Sequence, residues 1–79
     1  MEVTFLRKFR ASEAGELSLL INVENECNYK IVILDTAKRP FAKVKWRELT
    51  MNDRNQIREI AYECLMICRQ CPERLLKVM

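Results

Sequence analysis

From Glu16 to Glu24 the chain alternates. Leu17, Leu19, Ile21 and Val23 share one parity, and Glu16, Ser18, Asn22 and Glu24 share the other, with Leu20 as the exception. A period of two puts the apolar side chains on one face of a half-buried strand. The segment before it, "VTFLRKF" at 3–9, is rich in β-branched and aromatic residues, and Val3, Phe5 and Phe9 share a parity, so it predicts a first strand. "ASEAG" between them is a turn ending in the only glycine, Gly15. After a tight connection around Asn25 and Glu26, residues 28–35 form a third strand. Tyr29, Ile31 and Ile33 lie on one side, and Val32 and Leu34 on the other. Apolar residues on both sides imply a central strand or a second face that something covers.

"DTAKRP" predicts another turn, because Asp35 can accept bonds from the backbone ahead of it and Pro40 requires an extended entry. "FAKVKWR" at 41–47 alternates again. Ala42, Val44 and Trp46 face one way; Phe41, Lys43, Lys45 and Arg47 face the other.

The period then changes. In "TMND" at 50–53, Thr50 is a candidate helix cap, with Asp53 three residues on as in a capping box and favourable to the helix dipole. Ile57, Ile60, Ala61, Cys64, Ile67, Cys68 and Cys71 follow at helical spacing, on a stripe about 120° wide. Pro72 ends or bends the helix near Cys71. The pattern predicts one α+β domain over 1–79. A small antiparallel sheet of three or four strands (β-β-β-β-α, 3–47) is covered on one face by a helix over about 51–71, with a short helical turn at 72–79. Strand order is left open.

Length bounds the energetics. A chain of 79 residues buries about 60% of its unfolded surface, so a second copy or a partner would add useful stability. One glycine and two prolines exclude glycine-rich phosphate loops. The longest apolar runs, "IVIL" and "CLMIC", fall far short of the roughly 20 residues that span a bilayer. The first ten residues lack a signal-like stretch. A soluble cytoplasmic protein with its four cysteines reduced is the expectation.

Three of those cysteines stand in "CLMICRQC", a C-x3-C-x2-C spacing at 64, 68 and 71. The spacing coincides with that of the cluster cysteines in radical S-adenosylmethionine enzymes, but the match stops there. On a helix the three positions rise about 10 Å and cannot converge on one cluster. Tetrahedral zinc would need Cys27 as a fourth thiolate, since there is no histidine. A redox pair at "CRQC" would sit at the end of a helix where the dipole raises a thiol's pKa. Free cysteine is among the most buried residue types, and all three fall on the core stripe. They are expected to pack as small hydrophobes, with no metal and no cofactor.

Without histidine the commonest general base is missing. Glu59 and Glu63, one turn apart among Arg58 and Arg69, suit a salt-bridged surface, and neither Ser12 nor Ser18 has an activating base. No enzymatic activity is expected, and no small-molecule substrate.

Contact surfaces remain, and two stand out. Tyr62, Leu65 and Met66 fall away from the centre of the helical stripe; tyrosine and methionine are enriched in interface cores. These three are the candidate protein interface, for another protein or for a homodimer. The second is a basic patch of Lys38, Arg39, Phe41, Lys43, Lys45 and Arg47, widened by Arg7, Lys8 and Arg10. The net charge is +3. On a strand, Lys43, Lys45 and Arg47 would recur about every 7 Å, near phosphate spacing, with Phe41 as a stacking surface. Lysines on an edge strand also guard against aggregation. The sequence therefore points first to a non-enzymatic protein-interaction module (adaptor, inhibitor or assembly factor), and second to a small nucleic-acid binder.

Overall fold

The alternating segments pair in chain order. A computed structural model describes residues 2–38 and 40–70. Strands β1 (Val3–Ala11), β2 (Gly15–Val23), β3 (Tyr29–Asp35) and β4 (Ala42–Lys43) form one antiparallel sheet of order β1-β2-β3-β4. A 3-10 turn at Trp46–Glu48 leads into helix α1 (Met51–Gln70). This is the α+β arrangement that the hydrophobic pattern implies. Arg39, Cys71 and the turn expected at 72–79 lie outside the described residues.

Each connection has a local cause. Between β1 and β2, Gly15 takes φ +79, a left-handed conformation that costs other residues a clash of Cβ with backbone. Between β2 and β3, the Asn25 side-chain carbonyl accepts from the backbone N–H groups of Cys27 at 2.8 Å and Asn28 at 3.0 Å. Between β3 and β4, Asp35 Oδ1 accepts from the Ala37 N–H at 3.1 Å.

The core lies between the sheet and α1. Leu17, Leu19, Ile21 and Val23 of β2 are buried against the helix, joined by Phe9 and Ala11 of β1 and Ile33 of β3. Leu49, Ile57, Ala61, Cys64 and Leu65 close the layer from the other side. Each fully buried leucine or isoleucine contributes roughly 1.5–3 kcal/mol of transfer free energy, so β2 with its unbroken inner row is the centre of the fold.

The start of α1 is tied to the first hairpin. Thr50 caps it, its Oγ1 accepting from the Asp53 N–H at 3.1 Å. Beyond the cap, the Asp53 carboxylate accepts from Ser12 in the β1–β2 turn, through the backbone N–H at 3.2 Å and the hydroxyl at 3.0 Å. Burial alone would raise its pKa, but the bonds from Ser12 and Thr50 outweigh that and hold the carboxyl below its usual value. The cap anticipated within the helix is thus also a clamp between layers.

Two expectations need correction. The fourth strand does not run through 47. β4 is two residues long, and after the Val44 N–H bonds the Ile33 carbonyl at 2.8 Å the chain leaves the sheet. Glu48 draws it into the 3-10 turn, its carboxylate accepting from the Lys45 N–H at 2.7 Å. The turn puts Leu49 into the core and sets Trp46 beneath Arg58, whose guanidinium lies 5.2 Å from the ring centroid. The second correction concerns the helix. Its buried arc is rolled by roughly 40° at 100° per residue, taking Leu65 inward and turning Ile67 outward.

Candidate interaction surface

The cysteine run is divided by this roll. Cys64 is buried in the core and Cys68 half-buried against it. Burial pushes the Cys64 thiol up; Cys68 and Glu63 push the same way, and only Arg7 and a backbone hydrogen bond pull against them. Burial raises Cys68 as well. Protonated thiols are poor nucleophiles and poor metal ligands. Cys27 is exposed in the β2–β3 turn, where the neighbouring Glu26 carbonyl accepts from Arg69 near the end of α1. Among the described residues no group of three or more Cys, Asp or Glu side chains is placed to hold a metal ion.

The expected helix patch is smaller than its sequence suggests. Leu65 is only 4% exposed and belongs to the core, so it cannot serve as an interface residue. The helical roll is the reason: Leu65 lies on the flank that the sheet covers. Tyr62 remains 57% exposed. Met66 is half-buried, and its sulfur accepts from Arg69 Nη1 at 3.8 Å, while Arg69 Nε also reaches the Glu26 carbonyl at 2.9 Å.

The basic residues do not form one strand. Lys38 lies in the β3–β4 turn, 4.0 Å from the Asp35 carboxylate. Lys43 is in β4 opposite Leu34, Lys45 precedes the 3-10 turn and Arg47 is inside it. Phe41, Lys43, Lys45 and Arg47 are all exposed. The alternation of the sequence survives as inside against outside, but the regular phosphate-like spacing of a strand ends at Lys43.

Register reveals a surface that periodicity missed. The helix covers the odd-numbered face of β1, β2 and β3, while the even-numbered face has no helix against it among the described residues. On that outer face Leu6 pairs with Leu20, and Leu20 with Val32, in one line across three strands. Leu6 is 59% and Val32 37% exposed. Leu34 adds a fourth aliphatic in the next row, where the order is Lys8, Ser18, Leu34, Lys43. In the row on the opposite side stand Thr4, Asn22 and Lys30, with Asn22 Nδ2 donating to Thr4 Oγ1 at 3.0 Å. The sequence signals were present: Leu20 broke the alternation of its strand, and Val32 and Leu34 lay on the wrong side of theirs. Only the pairing register shows that these exceptions meet.

No helix among the described residues is long and apolar enough to cross a membrane. Comparison with protein-family models, curated proteins and solved structures found no match to this chain.

Proposed function

We propose that this chain is a non-enzymatic protein-interaction module that works through the outer face of its sheet. The observation that carries this reading is the aligned row of Leu6, Leu20 and Val32, exposed or half-buried on a face that α1 leaves open. Isolated surface leucines are ordinary, whereas contiguous exposed apolar groups mark contact sites. Tyr62, on the far side of the molecule's helical layer, supplies a second and smaller contact. Among the described residues, the raised Cys64 and Cys68 thiols and the engagement of Asp53 by Ser12 suit structural roles and support the non-enzymatic reading.

The test is retention of protein from native lysate by the intact chain, with and without nuclease. The reading expects a protein partner that survives nuclease and is lost on Leu20→Thr with Val32→Thr. Nucleic acid is the second reading, favoured by exposed Phe41 beside Lys43. It expects retention that nuclease abolishes, that salt weakens steeply, and that charge reversal at Lys43, Lys45 and Arg47 removes. That result would replace the first reading.

A further inference from the structure

On the outer face, β1 carries opposite charges at its two ends. Its even-numbered positions, with Glu2 just ahead of the strand, read Glu2, Thr4, Leu6, Lys8, Arg10, and all five are exposed. Glu2 and Arg10 stand four residues to either side of Leu6. On β2 the same rows hold Glu16, Ser18, Leu20 and Asn22, with Glu24 just past the strand. On β3 they hold Lys30, Val32 and Leu34. The aliphatic row Leu6–Leu20–Val32 therefore crosses the strands near the middle of β1 and β2. Along β1 the face is acidic on one side of that row and basic on the other.

We propose that this face packs against the same face of a second copy, about a twofold axis that runs along the Leu6–Leu20–Val32 row, to give a four-layer α-β-β-α dimer. The inference rests on the protein-interaction reading above and names the partner. A twofold contact is isologous, so that if position i of one copy meets j of the other, j also meets i. With the axis along the row, Leu6, Leu20 and Val32 each approach their own counterparts. Every strand then lies over its counterpart running the opposite way. Arg10 comes over Glu2 of the second copy, and Glu2 over its Arg10, while Lys8 comes over Thr4. Twisted sheets pack about 30° from alignment, and exposed side chains as long as arginine and glutamate span the offset that this adds at the strand ends.

Charge selects both the occupant and the axis. Opposite charges at equal distances from an apolar line are what a self-complementary contact uses, and an unrelated partner requires no such relation. An axis along the strands would also stack Leu20 on itself, but it lays β1 over β3 of the second copy. Lys8 then meets Leu34 and Thr4 meets Lys30, leaving Glu2 and Arg10 without an opposite charge. Across the chosen axis Glu16 faces Glu24, yet each has a cation of its own copy at hand: Arg10 is the Cα partner of Glu16, and Lys30 Nζ lies 3.3 Å from Glu24. A nucleic-acid strand would meet the acids Glu2, Glu16 and Glu24 on this face, and no aromatic ring in its middle on which a base could stack. The outer face of β1–β3 has a flat area of roughly 400 Å² from strand rise and spacing. That is below the roughly 800 Å² per partner of a standard interface, so the dimer is one that dissociates on dilution.

The test is sedimentation equilibrium of the full-length chain from about 1 µM to about 1 mM, where a dimer with a Kd of roughly 1–100 µM is expected. Leu20→Thr with Val32→Thr weakens self-association about tenfold or more. Arg10→Glu and Glu2→Arg each set like charges together twice per dimer, and each weakens it about fivefold or more. An equimolar mixture of those two variants regains wild-type strength, because one then brings two acids and the other two bases to the same contact. Amide spectra of every variant check that the sheet persists. The proposal is overturned by a chain that stays monomeric to about 1 mM, or by a dimer that the Leu20 and Val32 changes leave intact. It is also overturned if the mixture dimerises no better than its components, or if dilution shifts amides only on the Tyr62 side of α1. Contacts between residues 71–79 and Leu20 in the free chain would likewise overturn it. If self-association fails while a nuclease-resistant protein is still held through Leu20 and Val32, only the second copy is lost as the partner. If that retention is absent too, the interaction reading goes with it.

Discussion

Cys64 is where the competing accounts of the cysteine run differ most in what they predict. The side chain is 1% exposed, between the sheet and α1. Cys64→Ala deletes one heavy atom, comparable to a buried methylene at about 0.8 kcal/mol. The unfilled space, of order 20 Å³ at about 24 cal/mol per Å³, adds roughly 0.5 kcal/mol. The total is about 1.3 kcal/mol. Cys64→Ser keeps the volume but buries a hydroxyl, at roughly 1–3 kcal/mol when unpartnered. A bond to the carbonyl one turn back, at Ile60, brings that toward the lower end. Cys27→Ser, at an exposed position, stays within about 0.5 kcal/mol. Urea unfolding reads all three: with a slope near 1 kcal/mol per molar for a domain of this size, both Cys64 variants shift the midpoint down by about 1–2 M and Cys27→Ser leaves it in place. Alkylation of the native chain should label Cys27 quickly and Cys64 only as the protein opens. A Cys64 that reacts as fast as Cys27, or a wild-type chain that a chelator destabilises to the level of Cys64→Ala, would refute the reasoning and return sulfur to the list of ligands and reagents.

Gly15→Ala meets no neighbouring atom within 4 Å but strains φ +79, so thermal unfolding should show a loss of about 1–2 kcal/mol from backbone alone, smaller for Gly15→Asn. Asp53 has a lowered folded pKa, so its contribution is present above the unfolded value near 3.9 and is lost as pH falls through the folded one. Acid unfolding of Asp53→Asn should accordingly lack that part of the pH dependence, and an unchanged acid limb counts against the Ser12 clamp. Cys64 has the opposite sign: stability is full below the unfolded thiol value near 8.5 and declines as pH climbs toward the raised folded one. Cys64→Ala should flatten that decline relative to wild type. Finally, Leu19→Thr should cost about 3 kcal/mol or more, since Leu19 is fully buried, while Leu20→Thr, one position along on the other face, costs less than about 1 kcal/mol in the same denaturation assay.

Much of this architecture is legible in the order of residues because its strands are one-sided. The inner row of β2 and the helical stripe around Ile57, Ala61 and Cys64 follow from periods of two and 3.6, and Gly15, Asn25, Asp35 and Thr50 mark their own turns and cap. Periodicity failed where inside-outside order and backbone pairing part company. Ala42, Val44 and Trp46 do face inward, as their alternation implies, yet only Ala42 and Lys43 form strand, because Glu48 captures the Lys45 N–H and winds the next three residues into a 3-10 turn. It failed again at Leu65 and Ile67. They occupy opposite flanks of one stripe, and only the sheet beneath decides which flank is covered. Asp53 was readable as a cap residue but not as the partner of Ser12, a contact 41 positions back. Most of the outer face was hidden for the same reason: its members sit on three strands, and local pattern carries no register.

Two simpler accounts of that face can be weighed against its geometry. Strand propensity alone explains why leucine and valine occur at outer positions, since branched aliphatics suit a pleated surface. It sets no relation between strands, and so gives no reason for Leu6, Leu20 and Val32 to share one line while Thr4, Asn22 and Lys30 share the next. Edge protection explains Lys8 and Arg10, because β1 is a terminal strand with unpaired backbone groups. Those groups lie in the plane of the sheet, however, whereas the aliphatic row projects from its face, where edge lysines shield nothing. A contact surface accounts for the aligned row and the open face together, and under it Leu20→Thr with Val32→Thr should change binding while leaving the fold intact.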